Sequence, residues 1–380
     1  MRFILALCRV LFSLTFIVSG ALKLLDPVGT GLIVKEYLDF MHLGFLEPYA
    51  MAIGILLSTM EFTLGICMLS GLRFRVMAWV SLILTAFFTL LTLYLMLFNP
   101  ISDCGCFGEA IHLTNTQTFL KNLVLLALAV VIFIFRKRAT RLARPWLEWV
   151  FVGVFAALGL FVAVRAAATI PQVDFTAYRV GNNLDDLARE NQAQFETTFI
   201  YTKDGQTKEF TLDELPDESW TYLDSRTVQV GGSTKMAQVD FTPERLEGPM
   251  LAVTIYNPEA LSPAALARIE GFRKEAASLG QEPVVYAPSG DYVPADRKSL
   301  MTLNRSNGGA VYFNDGVIVA KWANSELDDS RLDEILGEDP DVVILRHRIR
   351  EQLYASILVV GTLVLLVLVR VLCKLLVRKK

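Results

Sequence analysis

The stretch Val76–Phe98, VMAWVSLILTAFFTLLTLYLMLF, runs for twenty-three residues without one charged side chain. As a helix rising ~1.5 Å per residue it is about 34 Å long, enough to cross a hydrocarbon core of about 30 Å. Similar apolar runs occur at about 3–23, 50–70, 118–135, 147–164 and 353–373, so six spans are expected. Backbone in hydrocarbon must satisfy its own hydrogen bonds, and these runs are therefore helices. Residues from about 170 to 345 contain no such run and read as one water-soluble region.

Charge divides along the same line. Residues 171–345 hold 30 Asp and Glu against 15 Lys and Arg, whereas the remainder is basic, within an overall charge of −3. An acidic soluble part argues against nucleic-acid binding, which needs a cationic face. Lys and Arg in short loops set orientation. The turn at 71–75 has Arg73 and Arg75; the 136–145 loop has Arg136, Lys137, Arg138, Arg141 and Arg144; the chain ends Arg378-Lys379-Lys380. Residues 26–49 offer only Lys35, and 99–117 have no Lys or Arg. The expected topology has both termini cytoplasmic. Residues 26–49, 99–117 and the large region 166–346 lie on the periplasmic side of a cell inner membrane. Arg346, Arg348 and Arg350 precede the last span on that side and run against the rule. The first span reads as retained rather than a signal peptide: Val18-Ser19-Gly20 is a weak cleavage site and Arg9 interrupts the apolar run.

Arg9 and Glu61 are the notable charges within spans. Counted from the cytosolic ends at ~1.5 Å per residue, their depths nearly match, so an ion pair locking the first two helices is expected. Arg9, Phe16 and Lys23 recur every seven residues on one helix face, and Ser19-Gly20 and Gly65 offer small surfaces for close helix contact. Arg9, Phe16 and Ser19-Gly20-Ala21-Leu22-Lys23, followed by Glu61, Gly65 and Gly71, resemble the first two helices of DoxX-type membrane proteins. The resemblance covers about residues 1–138 and implies a four-helix bundle.

Of five cysteines, Cys8, Cys67 and Cys373 lie in apolar spans and read as small hydrophobes. Cys104 and Cys106 stand instead in Ser102-Asp103-Cys104-Gly105-Cys106-Phe107-Gly108-Glu109, between spans three and four. Four readings are open. A disulfide across so tight a ring is readily reduced, which suits a redox pair. A static disulfide gains little from closing so short a loop. A metal site could recruit His112, although zinc usually takes more widely spaced cysteines and four ligands. Each cysteine could also pair with another protein. The run Cys104-Gly105-Cys106-Phe107-Gly108 ahead of a fourth span closely resembles the MauE branch of DoxX-like proteins. That resemblance implies periplasmic thiol–disulfide chemistry; the founding example matures the disulfide-rich small subunit of methylamine dehydrogenase. The two further spans and the large soluble region depart from that simple family.

Within the soluble region, residues 166–240 read as β-rich. Thr197–Lys203 and Gln206–Leu212 flank the turn signal Asp204-Gly205, and Trp220 follows Leu215-Pro216 as an aromatic anchor. Residues 241–346 alternate: strand 250–256, helix 262–279 with Ser262 as N-cap before Pro263, strand 283–287, helix 295–304, strands 309–313 and 317–322 around Asn314-Asp315-Gly316, and helix 327–336. This order resembles a thioredoxin fold with its first β-α unit reduced or replaced. The segment that would carry that fold's active-site cysteines is Asn257-Pro258-Glu259-Ala260-Leu261-Ser262-Pro263, without cysteine, and Gly308-Gly309 replace its late proline. Such a domain binds or positions a partner and cannot itself exchange disulfides. With no histidine in this region, acid–base catalysis there lacks its commonest residue.

The expected protein is thus a membrane all-α, four-helix DoxX-like bundle (1–138) plus two further transmembrane helices (147–164 and 353–373), with an α/β, thioredoxin-like soluble domain. Its expected role is thiol–disulfide exchange or maturation of an exported client through Cys104 and Cys106, as an oxidoreductase or an accessory subunit. No cofactor is required by the motifs, although a bilayer quinone or another thiol protein could take the electrons. The alternatives are a non-catalytic membrane scaffold or a subunit of a quinone-linked oxidoreductase complex. A transporter is disfavoured by the lack of inverted repeats and broken helices.

Overall fold

A computed structural model of the chain describes residues 2–98, 101, 104–138, 144–187, 195–203, 206–210, 216, 219–229 and 247–378. Among these, six helices are long and apolar enough to cross a membrane, and the protein is a multi-pass membrane protein. The bundle is built from α1 (Arg2–Leu25), α3 (Ala50–Ser70), α4 (Phe74–Phe98), α5 (Asn115–Ile134) and α6 (Pro145–Ala168). A further helix, α2 (Pro27–Phe40), is capped by Asp26, whose carboxylate accepts the Gly29 N–H at 2.9 Å. The sequence reading missed α2, because its apolar stretch is too short to span and is broken by Lys35, Glu36 and Asp39. Thr114 and Gln117 form a capping box that starts α5 three residues earlier than the apolar run suggested.

Glycines set how α1 and α3 meet. A Cβ on Gly20 would lie 2.6 Å from the Phe62 backbone nitrogen, and one on Gly65 would lie 2.8 Å from that of Ile17. The backbones touch at these two points, as small residues at membrane helix contacts permit. This register places Glu61 opposite the end of α1 that carries Ser19 and Lys23, and not opposite Arg9. The expected Arg9–Glu61 pair is therefore incorrect. Glu61 pairs with Lys23 at 2.8 Å. The Arg9 guanidinium donates to the Met68 carbonyl at 2.9 Å and sits 4.6 Å above the Phe74 ring, at the other end of α3. Matching depths from the helix ends failed because glycine contacts, not the ends, fix the register.

The part of the chain that follows α6, expected from its sequence to be the soluble part, contains two sheets. The first has the order β3-β2-β4, from β2 (Phe195–Lys203), β3 (Gln206–Phe210) and β4 (Thr221–Gln229), all antiparallel. Residues 204–205, where the turn signal falls, lie outside the described residues, as does the end of this segment near 240. Trp220 packs edge-on against Phe210 at 5.2 Å.

The second sheet is built from β5 (Pro249–Thr254), β6 (Val284–Ala287), β7 (Val293–Pro294), β8 (Gly309–Asn314) and β9 (Val317–Trp322), in the order β7-β6-β5-β8-β9. β5 and β6 are parallel, and β8 is antiparallel to both β5 and β9. Asp315 and Gly316 take positive φ between β8 and β9, the conformation a tight hairpin needs. α7 (Pro263–Ser278) follows β5, with Ser262 accepting the Ala265 N–H, and α8 (Arg297–Leu303) precedes β8. α9 (Leu332–Gly337) follows. Leu251, Val253, Phe272, Val311 and Val319 are buried in this core.

The last helix, α10 (Pro340–Arg378), is continuous over 39 residues, about 58 Å at the helical rise. Val343 and Ile344 belong to the soluble core, whereas Val369 packs in the membrane bundle. The arginines that strained the charge rule sit on its early turns, where Arg346 meets Glu338 at 2.5 Å and Arg348 lies against Gly181. They belong to a helical stalk that packs on the acidic soluble part.

A dithiol site roofed by the soluble part

Cys104 and Cys106 flank Gly105 in the connection between α4 and α5, and a short strand β1 (Cys106–Glu109) follows. Gly105 and Gly108 both have φ of +62°, a region that side chains rarely adopt, and a Cβ on Gly105 would collide with Ile33 of α2. This glycine folds the connection back so that the two thiols face each other, with Sγ atoms 2.9 Å apart. The backbone is tied down as well. Ser19 Oγ lies 2.7 Å from the Cys106 carbonyl and 2.9 Å from Glu61 Oε2, and the Tyr37 hydroxyl donates to the Cys104 carbonyl at 3.1 Å.

Two lysines face the pair. Lys121 of α5 lies 4.6 Å from the Phe107 ring, and Lys23 reaches Glu61 beside Ser19. The two thiols are pulled apart in acidity. The hydrogen bond between the two sulfurs is the largest influence on Cys106; burial opposes ionisation, and Lys121 and Lys23 favour it. The Cys106 thiol is lowered to about 6 as a result. The same bond and burial push Cys104 well above the ordinary thiol range. A thiolate beside a thiol at this distance is the arrangement in which one sulfur attacks and the other resolves.

The sequence singled out both cysteines. His112 does not join them, and among the described residues no three His, Cys, Asp or Glu side chains gather into a metal-binding group. Lys121, Ser19 and Tyr37 were not identified as site residues, although Lys121 is the only Lys or Arg between Arg75 and Arg136.

The soluble part roofs this site. Arg305, in the connection from α8 to β8, is almost fully buried and reaches Asp26 at 2.7 Å and Glu109 at 2.9 Å. Glu109 ends the same short strand that Cys106 begins. Lys298 of α8 adds a bond to Glu36 of α2 at 2.7 Å. Around the base of Arg305, Asn307 and Asn257 exchange backbone and side-chain hydrogen bonds at 2.7 and 2.9 Å. They tie the β5–α7 turn to the connection that docks on the bundle.

Below the thiols lies a cavity of about 230 Å³. Its thiol end is formed by Cys104, Cys106, Lys23, Glu61, Lys121 and Asn122, and its remaining walls are mainly apolar.

Residues 1–135 match the family described as "Methylamine utilisation protein MauE", and residues 195–231, a range that includes strands β2, β3 and β4, match a domain of unknown function, DUF8463. Protein TlpB of Flavobacterium psychrophilum is 28% identical over 184 residues, covering 48% of this chain and 49% of that protein. The chain thus aligns with about half the length of this relative. No solved structure matches. The chain is a multi-pass membrane protein whose first 135 residues match the MauE family model.

Proposed function

We propose that the protein is a thiol–disulfide membrane protein in which Cys104 and Cys106 cycle between dithiol and disulfide. The observation that carries this reading is the paired geometry: two thiols 2.9 Å apart, with Cys106 acidified by its neighbour and by two lysines. A static structural pair would gain nothing from such acidification. The similarity of residues 1–135 to MauE supports a redox-associated membrane role.

In this reading the bundle is DoxX-like and the second sheet is thioredoxin-like. The strand order β6-β5-β8-β9, with one parallel and two antiparallel pairings, supports the latter. That domain has no cysteine. Its Arg305 connection holds the dithiol strand, so it acts as a positioning cover and not as an exchange catalyst. The charge of the short loops supports cytoplasmic termini, with the dithiol and its cover on the periplasmic side of an inner membrane. The partner that exchanges electrons with the pair is an exported protein or a membrane-borne acceptor.

The test is capture in intact cells. Single Cys104→Ser and Cys106→Ser proteins are expressed and acid-quenched, and free thiols are blocked. At least one variant is expected to hold a mixed disulfide that reductant releases. If neither does, and the wild-type pair also keeps one redox state through a reductant pulse, the proposal fails.

A further inference from the structure

We propose that the acidic rim above Cys104 and Cys106 is the docking surface for an exported disulfide protein with a basic contact face, and that the soluble part occupies this rim as a tethered competitor. This rests on the redox reading of the pair and adds the chemistry of its partner and the control of its access.

The charges of the contact come first. On the bundle side, Asp26 and Glu36 belong to α2 and its cap, Glu47 to the turn before α3, and Glu109 to β1. The soluble part answers with Arg305 on Asp26 and Glu109, at 2.7 and 2.9 Å, and with Lys298 on Glu36 at 2.7 Å. Arg297, next to Lys298 on α8, lies within electrostatic reach of Glu47. Each half inverts its overall charge here. The soluble region is acidic as a whole and offers cations; the membrane part is basic as a whole and offers carboxylates. In the buried seat one guanidinium faces two carboxylates, so the seat selects a cation from whatever docks on it.

Position links this seat to the sulfurs. Glu109 ends the strand that Cys106 begins, three steps or about 10 Å along it. A protein loop seated on Asp26 and Glu109 therefore brings its disulfide to Cys106. Arg305, with only 3% of its side chain exposed, fills that seat.

The contact is also of a kind that can be exchanged. Among the described residues, the apolar core of the soluble part and those of the bundle are separate clusters, so the rim is joined by ion pairs and not by a shared apolar core. Removing the cation from a buried pair is strongly destabilising unless another replaces it, and a basic partner supplies the replacement. The connections through α6 and α10 keep the competitor close, at a high local concentration.

Once the partner is seated, the Cys106 thiolate attacks one sulfur of its disulfide. An S–S bond forms between the proteins, and the partner's other sulfur leaves as a thiolate. Cys104 then gives its proton to water and attacks the Cys106 sulfur, which closes the Cys104–Cys106 disulfide and releases the partner's second thiolate. Two electrons pass to the partner; the reverse sequence oxidises a partner dithiol.

The experiment uses the full chain, reduced and desalted, in phosphatidylcholine nanodiscs without oxygen. The probes are two peptides of one sequence, each with a cysteine held as a mixed disulfide with 2-thiopyridine and flanked by three Arg or three Glu. Release of 2-thiopyridone gives the rate, after subtraction of a Cys104→Ser, Cys106→Ser control. Alkylation by iodoacetamide, small and neutral, normalises for thiolate content. The Arg peptide should react at least fivefold faster than the Glu peptide in wild type. Glu36→Gln with Glu47→Gln, both partly exposed on the rim, should cut that preference at least twofold. Arg305→Gln should raise the normalised rate with the Arg peptide at least fivefold. Lys298→Gln, at a half-exposed position, should raise it by less and guards against misfolding of the first variant. A smaller wild-type preference, a preference that survives in the Glu36→Gln, Glu47→Gln protein, or rates unchanged in both Arg305→Gln and Lys298→Gln would overturn the docking inference. The redox reading stands in those cases if hydroxyethyl disulfide, a small neutral oxidant, still oxidises the pair. If neither peptide nor hydroxyethyl disulfide changes the pair, both fall.

Discussion

The acidity of Cys106 can be perturbed one cause at a time. With Cys106 at about 6, about 90% of it is thiolate at pH 7, against ~3% for a free thiol at about 8.5. Full reversion would thus remove about thirtyfold of the reactive form. Intrinsic nucleophilicity recovers about threefold for each unit of rising pKa, or roughly ten- to twentyfold here, leaving a net loss of ~two- to threefold. The sharper observable is the midpoint. Alkylation of reduced protein, read by mass spectrometry on the Cys106 peptide, should rise with pH through about 6 and plateau above it. Cys104→Ala removes the largest cause, the hydrogen bond between the two sulfurs, and should move the midpoint furthest upward. Lys121→Met removes a cation and should move it upward by less. For stability the two thiols act in opposite directions. The depressed Cys106 thiol loses its stabilising contribution as pH falls through about 6, whereas the raised Cys104 thiol takes stability away as pH rises above the ordinary thiol range. A wild-type midpoint at or above 8.5, or a Lys121→Met midpoint that stays or falls, would refute the reasoning.

Three further outcomes are expected. Arg305→Met leaves Asp26 and Glu109 buried without their cation; breaking a buried pair costs about 3–5 kcal/mol, and limited proteolysis should release the soluble part sooner, with Asp26→Asn in the same chain restoring part of the loss. Lys23→Met and Glu61→Gln, which act on one buried pair, should couple by ~0.5–3 kcal/mol in an unfolding cycle, whereas Arg9→Gln and Glu61→Gln should add within ~0.5 kcal/mol; the reverse pattern would restore the depth-matched pairing. Gly20→Val drives a side chain into the Phe62 backbone and should cost about 1–3 kcal/mol by overpacking, while Gly153→Ala, which meets nothing within 4 Å, should leave the thermal midpoint unchanged.

The spans were legible because hydrocarbon leaves the chain little choice: Val76–Phe98 can only be a helix there. Strands such as Val317–Trp322 and the cap at Ser262 were legible because local chemistry decides them. Helix register was not. Which residue meets Glu61 depends on where Gly20 and Gly65 let two backbones touch, and that is a property of two surfaces rather than one string. Arg305 and Asp26 lie 279 residues apart, and no local pattern announces their contact. Lys121 did leave a signal, a lone cation in a long segment without others, and it became meaningful only once the Gly105 turn brought Cys106 beside it. The Cys104-Gly105-Cys106 motif drew attention to the thiols, whereas the fold supplied their neighbours.

The most direct test of the central claim is the redox state of one peptide. Membranes containing the full chain are quenched in acid before, during and after a brief pulse of dithiothreitol, then alkylated and digested. The peptide bearing Cys104 and Cys106 should be linked before the pulse, doubly alkylated during it, and linked again once the reductant is removed. A peptide that holds one state at all three times would contradict the account.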